Sequence, residues 1–270
     1  MGNPGLALGN AVRSIIVDTG LIFGLTRILA VTPADRFILN RTGWVQVGTA
    51  TLLVVIAVVA CYMAPAEPVL PRWVGVMFLL ILIGYMAISV HWARQRGATA
   101  ETEKAGNDSE TFCLLKSWIM IVGGLTLVIA GARILIPCAS EIALRLGVQQ
   151  DVIAATLVAF GTSLPEVMTA ISAIRKGHPE ITVGNIVGAD VLNCLFVIGA
   201  SVVVSPLAIP RTFFMFHFPA MLLILYSFRM FIFMNRDGTF KRWQGVWLLL
   251  IYVIYVVFQY ALNLGGETGH

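Results

Sequence analysis

The sequence predicts an all-α polytopic membrane protein of about eight transmembrane helices, built on an inverted-topology repeat with an incomplete first copy. Three observations carry this. Of the 270 residues, 58 % are AVILMFWYC and only 12 % are charged, about half the ~25 % charge of a soluble domain. That balance excludes a soluble enzyme, a nucleic-acid binder and a disordered chain. Windows of about 19 residues also find repeated apolar runs long enough to cross a ~30 Å hydrocarbon core. Finally, a segment near the start recurs 175 residues later.

The apolar runs place spans near 8–31, 45–64, 73–92, 117–138, 152–174, 181–204, 212–233 and 244–262. They are read as helices, because lipid offers the backbone no hydrogen-bond partners and the pattern lacks the two-residue period of a barrel strand. Trp44, Trp73, Trp92, Trp118 and Trp243 fall near span ends, as an aromatic belt does. The Met and Phe cluster over 212–234 reads as lipid-facing surface. The polar stretch 93–116, of mixed charge, reads as a solvated cytoplasmic loop. It divides the chain into a partial first repeat with two following helices (1–92), the loop (93–116) and a second repeat domain (117–270).

Lys and Arg set the orientation. Loops on one side carry 11 of them and loops on the other carry three, Arg72, Arg145 and Arg211. The positive-inside rule places the first set in the cytoplasm and both termini outside an inner (plasma) membrane. No cleavable leader is read at the start. Sequons at Asn40 and Asn107 fall on the cytoplasmic side and read as chance matches. The four cysteines form neither a CxxC pair nor a disulfide framework.

The repeat is specific. GNPGLALGNAVRSIIVDTGLIFG (2–24) aligns without a gap on GHPEITVGNIVGADVLNCLFVIG (177–199), with six of 23 positions identical, among them Pro4/Pro179, Gly9/Gly184, Asn10/Asn185 and Gly24/Gly199. The copies start on opposite sides of the membrane, an architecture that places binding sites at the repeat interface near the midplane. Preceding the second copy, AFGTSLPEV (159–167) breaks a span with a Gly and a Pro. Such a break is tolerated only where it faces protein or a water-filled cavity. Thr162, Ser163 and Glu166 put oxygens there.

GTSLPE (161–166) followed by GNIVGADVLN (184–193) resembles the second signature repeat of the calcium:cation antiporter superfamily, bacterial sodium/calcium exchanger type, and GNAVRSIIVD (9–18) resembles part of the first. The resemblance implies ten helices, of which this chain supplies the third to tenth, so two further helices with their own GTSxPE are expected ahead of Met1. It also implies secondary active antiport of Ca²⁺ for Na⁺ or H⁺ by alternating access, without ATP and without a cofactor. Carried over by position, Glu166 is the carboxylate that binds the exchanged ions, Thr162 and Ser163 are neighbouring donors, and Asn193, Asp18 and Ser14 occupy ligand positions on the two repeated helices. Arg13 stands where the motif has the glycine matched by Gly188.

The residues support this chemistry without the resemblance. Ca²⁺ takes six to eight oxygens from carboxylates, amides, hydroxyls and carbonyls. Asn10, Ser14 and Asp18 form one stripe at four-residue spacing. Asp190, three residues before Asn193, is a further candidate, with packing against a cation such as Arg133 as its structural alternative. Intramembrane carboxylates are functional by default, and the set is Asp18, Glu166 and Asp190. His91, His178 and His217 read as interfacial or structural. An intramembrane enzyme is disfavoured, since neither an HExxH nor a phosphate-cradling loop is present. The alternative function is a truncated or transport-inactive exchanger homologue acting as a membrane subunit, and the chain alone is expected not to exchange cations. The partners expected are the bilayer and inorganic cations, with no nucleic acid; a homo-oligomer is left open.

Overall fold

The computed structural model describes residues 4–30, 36–103, 114–145, 161–235 and 238–261. The first predicted span is one continuous helix made of α1 (Pro4–Ile16), a π-helical segment π1 (Val17–Phe23) and α2 (Gly24–Leu29). Its repeat mate is built the same way, from α7 (Glu180–Leu192), π2 (Asn193–Val197) and α8 (Ile198–Val204). Between them run α3 (Arg36–Met63), α4 (Arg72–Glu103), α5 (Leu114–Arg145) and α6 (Leu164–Arg175). After α8 come a third π-helical segment, π3 (Phe213–His217), then α9 (Phe218–Met234) and α10 (Arg242–Ala261).

Six helices among the described residues are long and apolar enough to cross a membrane. They match the predicted second, third, fourth, sixth, seventh and eighth spans. The first predicted span is helical but carries Arg13, Asp18 and Arg27. The first ten residues of the fifth, near 152–174, lie largely outside the described residues, and its remainder enters α6.

The repeated helices form the centre and run antiparallel. The α1 segment packs on π2 and α8, whereas π1 packs on α7, so the N-terminal part of each helix lies beside the C-terminal part of its mate. Beyond this pair, α2 packs on α10 and α8 on α4. Both crossings are glycine contacts. A Cβ on Gly75 would lie 2.8 Å from the Val203 amide nitrogen, and one on Gly245 would lie 2.7 Å from the Gly24 carbonyl oxygen. Gly24 and Gly199 are repeat mates, and each sits in one of these crossings. A short antiparallel pairing, Val69 with Ala208 and Leu70 with Leu207, joins the α3–α4 connection to the α8–π3 connection in strands β1 (Val69–Leu70) and β2 (Leu207–Ala208).

Two expectations are corrected. The stretch 93–116 is not wholly a loop, since α4 continues through Glu103 and α5 begins at Leu114. Residues ARQRGATAETE are mostly good helix formers, and polarity alone does not end a helix. The 212–234 cluster is not simply lipid-facing either. Phe213, Phe218, Met221, Phe228 and Phe231 are buried, while Met215, Met230 and Phe233 are exposed. Phe228 stacks at 5.7 Å on Phe240, and both meet Phe23 edge-on at 4.7 and 4.9 Å. An all-apolar sequence hides which face meets protein, because protein interior and lipid are equally apolar solvents. Of the five tryptophans read as a belt, Trp44, Trp73, Trp118 and Trp243 are exposed near helix ends, whereas Trp92 is half-buried within α4 with Arg41 over its ring.

Candidate functional site

The two π-helical segments fall in register under the 175-residue repeat, and each holds one polar candidate, Asp18 in π1 and Asn193 at the start of π2. A π turn breaks the regular i→i−4 ladder and is found frequently at functional sites. Here π1 packs on α7 and π2 on α1, so each π segment lies against the other repeated helix. The GTSLPE segment enters from the side. Helical geometry is interrupted at Ser163, and Pro165 opens the first turn of α6, whose start packs against π1. Gly161 lets this segment approach α5, since a Cβ there would collide with the Ile136 side chain.

The structure brings together most of the residues the sequence singled out. Ser14 Oγ lies 3.0 Å from Thr162 Oγ1, and Thr162 donates at 3.4 Å to Asn10 Oδ1. The first repeat's polar stripe thus meets the second repeat's broken segment. Asp18 is buried, with the Ser163 hydroxyl and the Glu166 carboxylate as its neighbours. Asp190 is also buried, and both Asp18 and Glu166 act on it electrostatically. Asp190 does not pair with Arg133, which is exposed on α5. Its Oδ2 instead accepts from Thr19 Oγ1 at 2.6 Å and from Gln46 Nε2 at 2.5 Å.

Five buried oxygens in this cluster have no hydrogen bond of good geometry among the described residues: both of Asp18, Ser163 Oγ, Glu166 Oε2 and Asp190 Oδ1, although the Ser163 hydroxyl lies near enough to Asp18 to interact with its carboxylate. A buried polar atom left unpaired costs about 1–3 kcal/mol, more if charged, so such a concentration calls for something that satisfies them. Asn193 stands apart from this cluster. It lines an open groove of about 360 Å³ with Glu166 and Asn185. Gly184 and Gly188 keep that groove open, with no atom within 4 Å of where a Cβ would stand. Among the described residues no three His, Cys, Asp or Glu side chains converge closely enough to form a metal-ligand group by themselves; Asp18, Glu166 and Asp190 lie within electrostatic range of one another, and a cation between them would need hydroxyl and amide oxygens to complete its shell.

Arg13 does not face this site. Its guanidinium lies beside the Tyr255 hydroxyl and His217, which are themselves joined by a 2.9 Å hydrogen bond. The residue that replaces the motif glycine thus packs toward α10, and His217 has the structural role expected of it. Sequence reasoning missed Thr19 and Gln46. The signal was present: Gln46 and Thr49 are polar residues three apart at the start of the apolar run 45–64.

Comparison with known proteins identifies the family. The family described as sodium/calcium exchanger protein matches residues 1–91 and 116–261. An uncharacterized membrane protein of Methanocaldococcus jannaschii is 30 % identical over 98 % of this chain and 79 % of its own length. The sodium/calcium exchanger MaX1 of Methanosarcina acetivorans is 28 % identical, over 94 % of this chain and 79 % of its own length. A solved structure of the sodium-calcium exchanger NCX_Mj superposes with a TM-score of 0.71 at 25 % identity, covering 94 % of this chain and 77 % of that one. The chain belongs to the sodium/calcium exchanger protein family and is a polytopic helical antiporter of cations.

Proposed function

We propose that the chain exchanges Ca²⁺ for Na⁺ across the cytoplasmic membrane by alternating access, with Glu166, Asp18, Ser163 and Asp190 as the inner cation ligands and Ser14, Thr162 and Asn193 along the path to them. The observation that carries this reading is the set of five buried oxygens without a well-formed hydrogen bond on Asp18, Ser163, Glu166 and Asp190. Carboxylate and hydroxyl oxygens are the ligands of a hard cation, and in a membrane interior such groups are retained where an ion passes. Glu166 has one buried oxygen, acts electrostatically on Asp18 and also lines the open groove with Asn193, so an ion handed between groove and cluster can stay on the same carboxylate. An open groove reaching Glu166, beside the packed contact of α7 with π1, is the kind of access that an alternating-access transporter opens on one side at a time. No cofactor enters this mechanism; Ca²⁺ and Na⁺ are its substrates.

The test is ⁴⁵Ca²⁺ uptake into proteoliposomes against an outward Na⁺ gradient, with a pH gradient as the second driving force. Glu166→Gln keeps shape and removes charge. A carboxylate in contact with a divalent ion is worth several kcal/mol even at an effective dielectric of ~20, so uptake is expected to fall by about 10-fold or more. Undiminished uptake by Glu166→Gln excludes the assignment. Uptake driven by the pH gradient alone replaces Na⁺ by H⁺ as the coupling ion.

A further inference from the structure

Gln46 lies on α3, outside both copies of the repeat, yet it is 2 % exposed and reaches the centre of the molecule. Its Nε2 donates to Asp190 Oδ2 at 2.5 Å and stands 3.4 Å from Thr19 Oγ1, which donates to the same oxygen at 2.6 Å. We infer that Gln46 is a positioning residue: with Thr19 it holds the Asp190 carboxylate beside Asp18 and thereby sets how tightly, and with what preference for ion size, the site holds a divalent cation. This rests on the cation-site reading above.

The chemistry of the contact favours that role over a packing bolt. Both donors fall on Oδ2 and leave Oδ1 unpartnered, within electrostatic range of Asp18 and Glu166. Both donors are neutral, so the carboxylate is oriented without its charge being cancelled, as a Lys or Arg would cancel it. The arrangement also ties three elements to one oxygen: Thr19 follows Asp18 in π1, Asp190 is on α7, and Gln46 comes from α3. Any shift of α3 therefore moves the Asp190 carboxylate relative to Asp18. A bolt between α3 and α7 would be served better by an aliphatic side chain, because Gln46 Oε1 is itself buried without a partner. An amide carried at that expense is explained by what it does to Asp190.

The experiment is equilibrium ⁴⁵Ca²⁺ binding to the purified full chain in nanodiscs, with competition by Sr²⁺ and Na⁺ and the unfolding midpoint measured without divalent cation. Gln46→Leu and Thr19→Val are each expected to weaken Ca²⁺ binding by about 10-fold, the worth of one hydrogen bond to a charged group, and to change the Ca²⁺/Sr²⁺ affinity ratio. Thr19→Ser, which restores the hydroxyl, returns both to wild-type values. The Thr19 pair acts through the same oxygen and carries the test if Gln46→Leu does not fold. Equal weakening for Ca²⁺ and Sr²⁺ in step with a lowered unfolding midpoint, or unchanged binding, overturns the inference. Glu166→Gln in the same assay separates the two readings. If it abolishes binding while the Gln46 and Thr19 variants do not matter, only this inference fails; if it too changes nothing, or the unmutated chain binds no Ca²⁺, the cation site itself is refuted.

Discussion

Asp18 and Arg13 sit five residues apart on one helix and face different surroundings. Asp18 is 1 % exposed, with neither oxygen in a well-formed hydrogen bond, beside Ser163. Arg13 turns toward Tyr255 and His217. From the sequence, a cation at the motif glycine looks set to repel bound metal; helical geometry separates them, because five residues turn the helix by about 500°, or roughly 140° net, at ~100° per residue. Asp18→Asn is therefore expected to reduce gradient-driven Ca²⁺ uptake by about 10-fold or more, by the same electrostatic argument as for Glu166. Arg13→Gly is expected to leave the apparent Ca²⁺ affinity within about 2-fold while lowering thermal stability by ~1–3 kcal/mol through lost packing. A Ca²⁺ titration of uptake, alongside thermal unfolding of each variant, checks both; a large gain in affinity for Arg13→Gly would place the guanidinium in the ion's field after all. The carboxylates and hydroxyls were legible in the sequence because they are rare in apolar runs. Which of them share an environment was not, since Asp190 and Asn193 are one turn apart and only one is buried.

At the scale of elements, the paired glycine crossings and the paired π segments follow the same repeat. Gly199 on α8 meets Gly75 on α4, and Gly24 on α2 meets Gly245 on α10. Without a hydrophobic drive between helices in lipid, small residues that admit close backbone contact hold such crossings together. A methyl group on Gly75 would meet backbone rather than flexible side-chain ends. Gly75→Ala is thus expected to force the helices apart and cost about 1–3 kcal/mol, as overpacking does. Gly48→Ala, where nothing lies within 4 Å, is expected to be neutral or slightly stabilising through helix propensity, by up to ~1 kcal/mol. Parallel thermal denaturation in detergent measures the contrast, and equal midpoints for the two variants would contradict the close-packed crossing. Gly24 and Gly199 were visible in the alignment of the copies, but Gly75 and Gly245 lie outside it and carry no local mark of their role.

At the scale of the molecule, the two repeated helices form a buried antiparallel centre, and α5 lies at the margin, exposed over nearly its whole length with α6 as its neighbour. The charge of the loops predicts the sidedness. A reporter active only in the cytoplasm is expected to be on when fused after Thr99 and off when fused after Gly269, given the 11-to-3 distribution of Lys and Arg; the opposite pattern would invert the orientation. The sequence by itself determined the membrane class, six of the spans and the repeat, and it offered the residues proposed to hold a cation. Apolar length, rare polar insertions and glycine-marked periodicity are local quantities, and a bilayer turns them directly into helices. Only the tertiary structure decided that Arg13 turns away, that the Phe-rich run is half core, that Asn193 lines the groove while Asp190 lies in the cluster, and that Gln46 reaches Asp190 from 144 residues away. These outcomes depend on which helix faces meet. In a chain where lipid and protein interior favour the same side chains, composition does not distinguish one face from another.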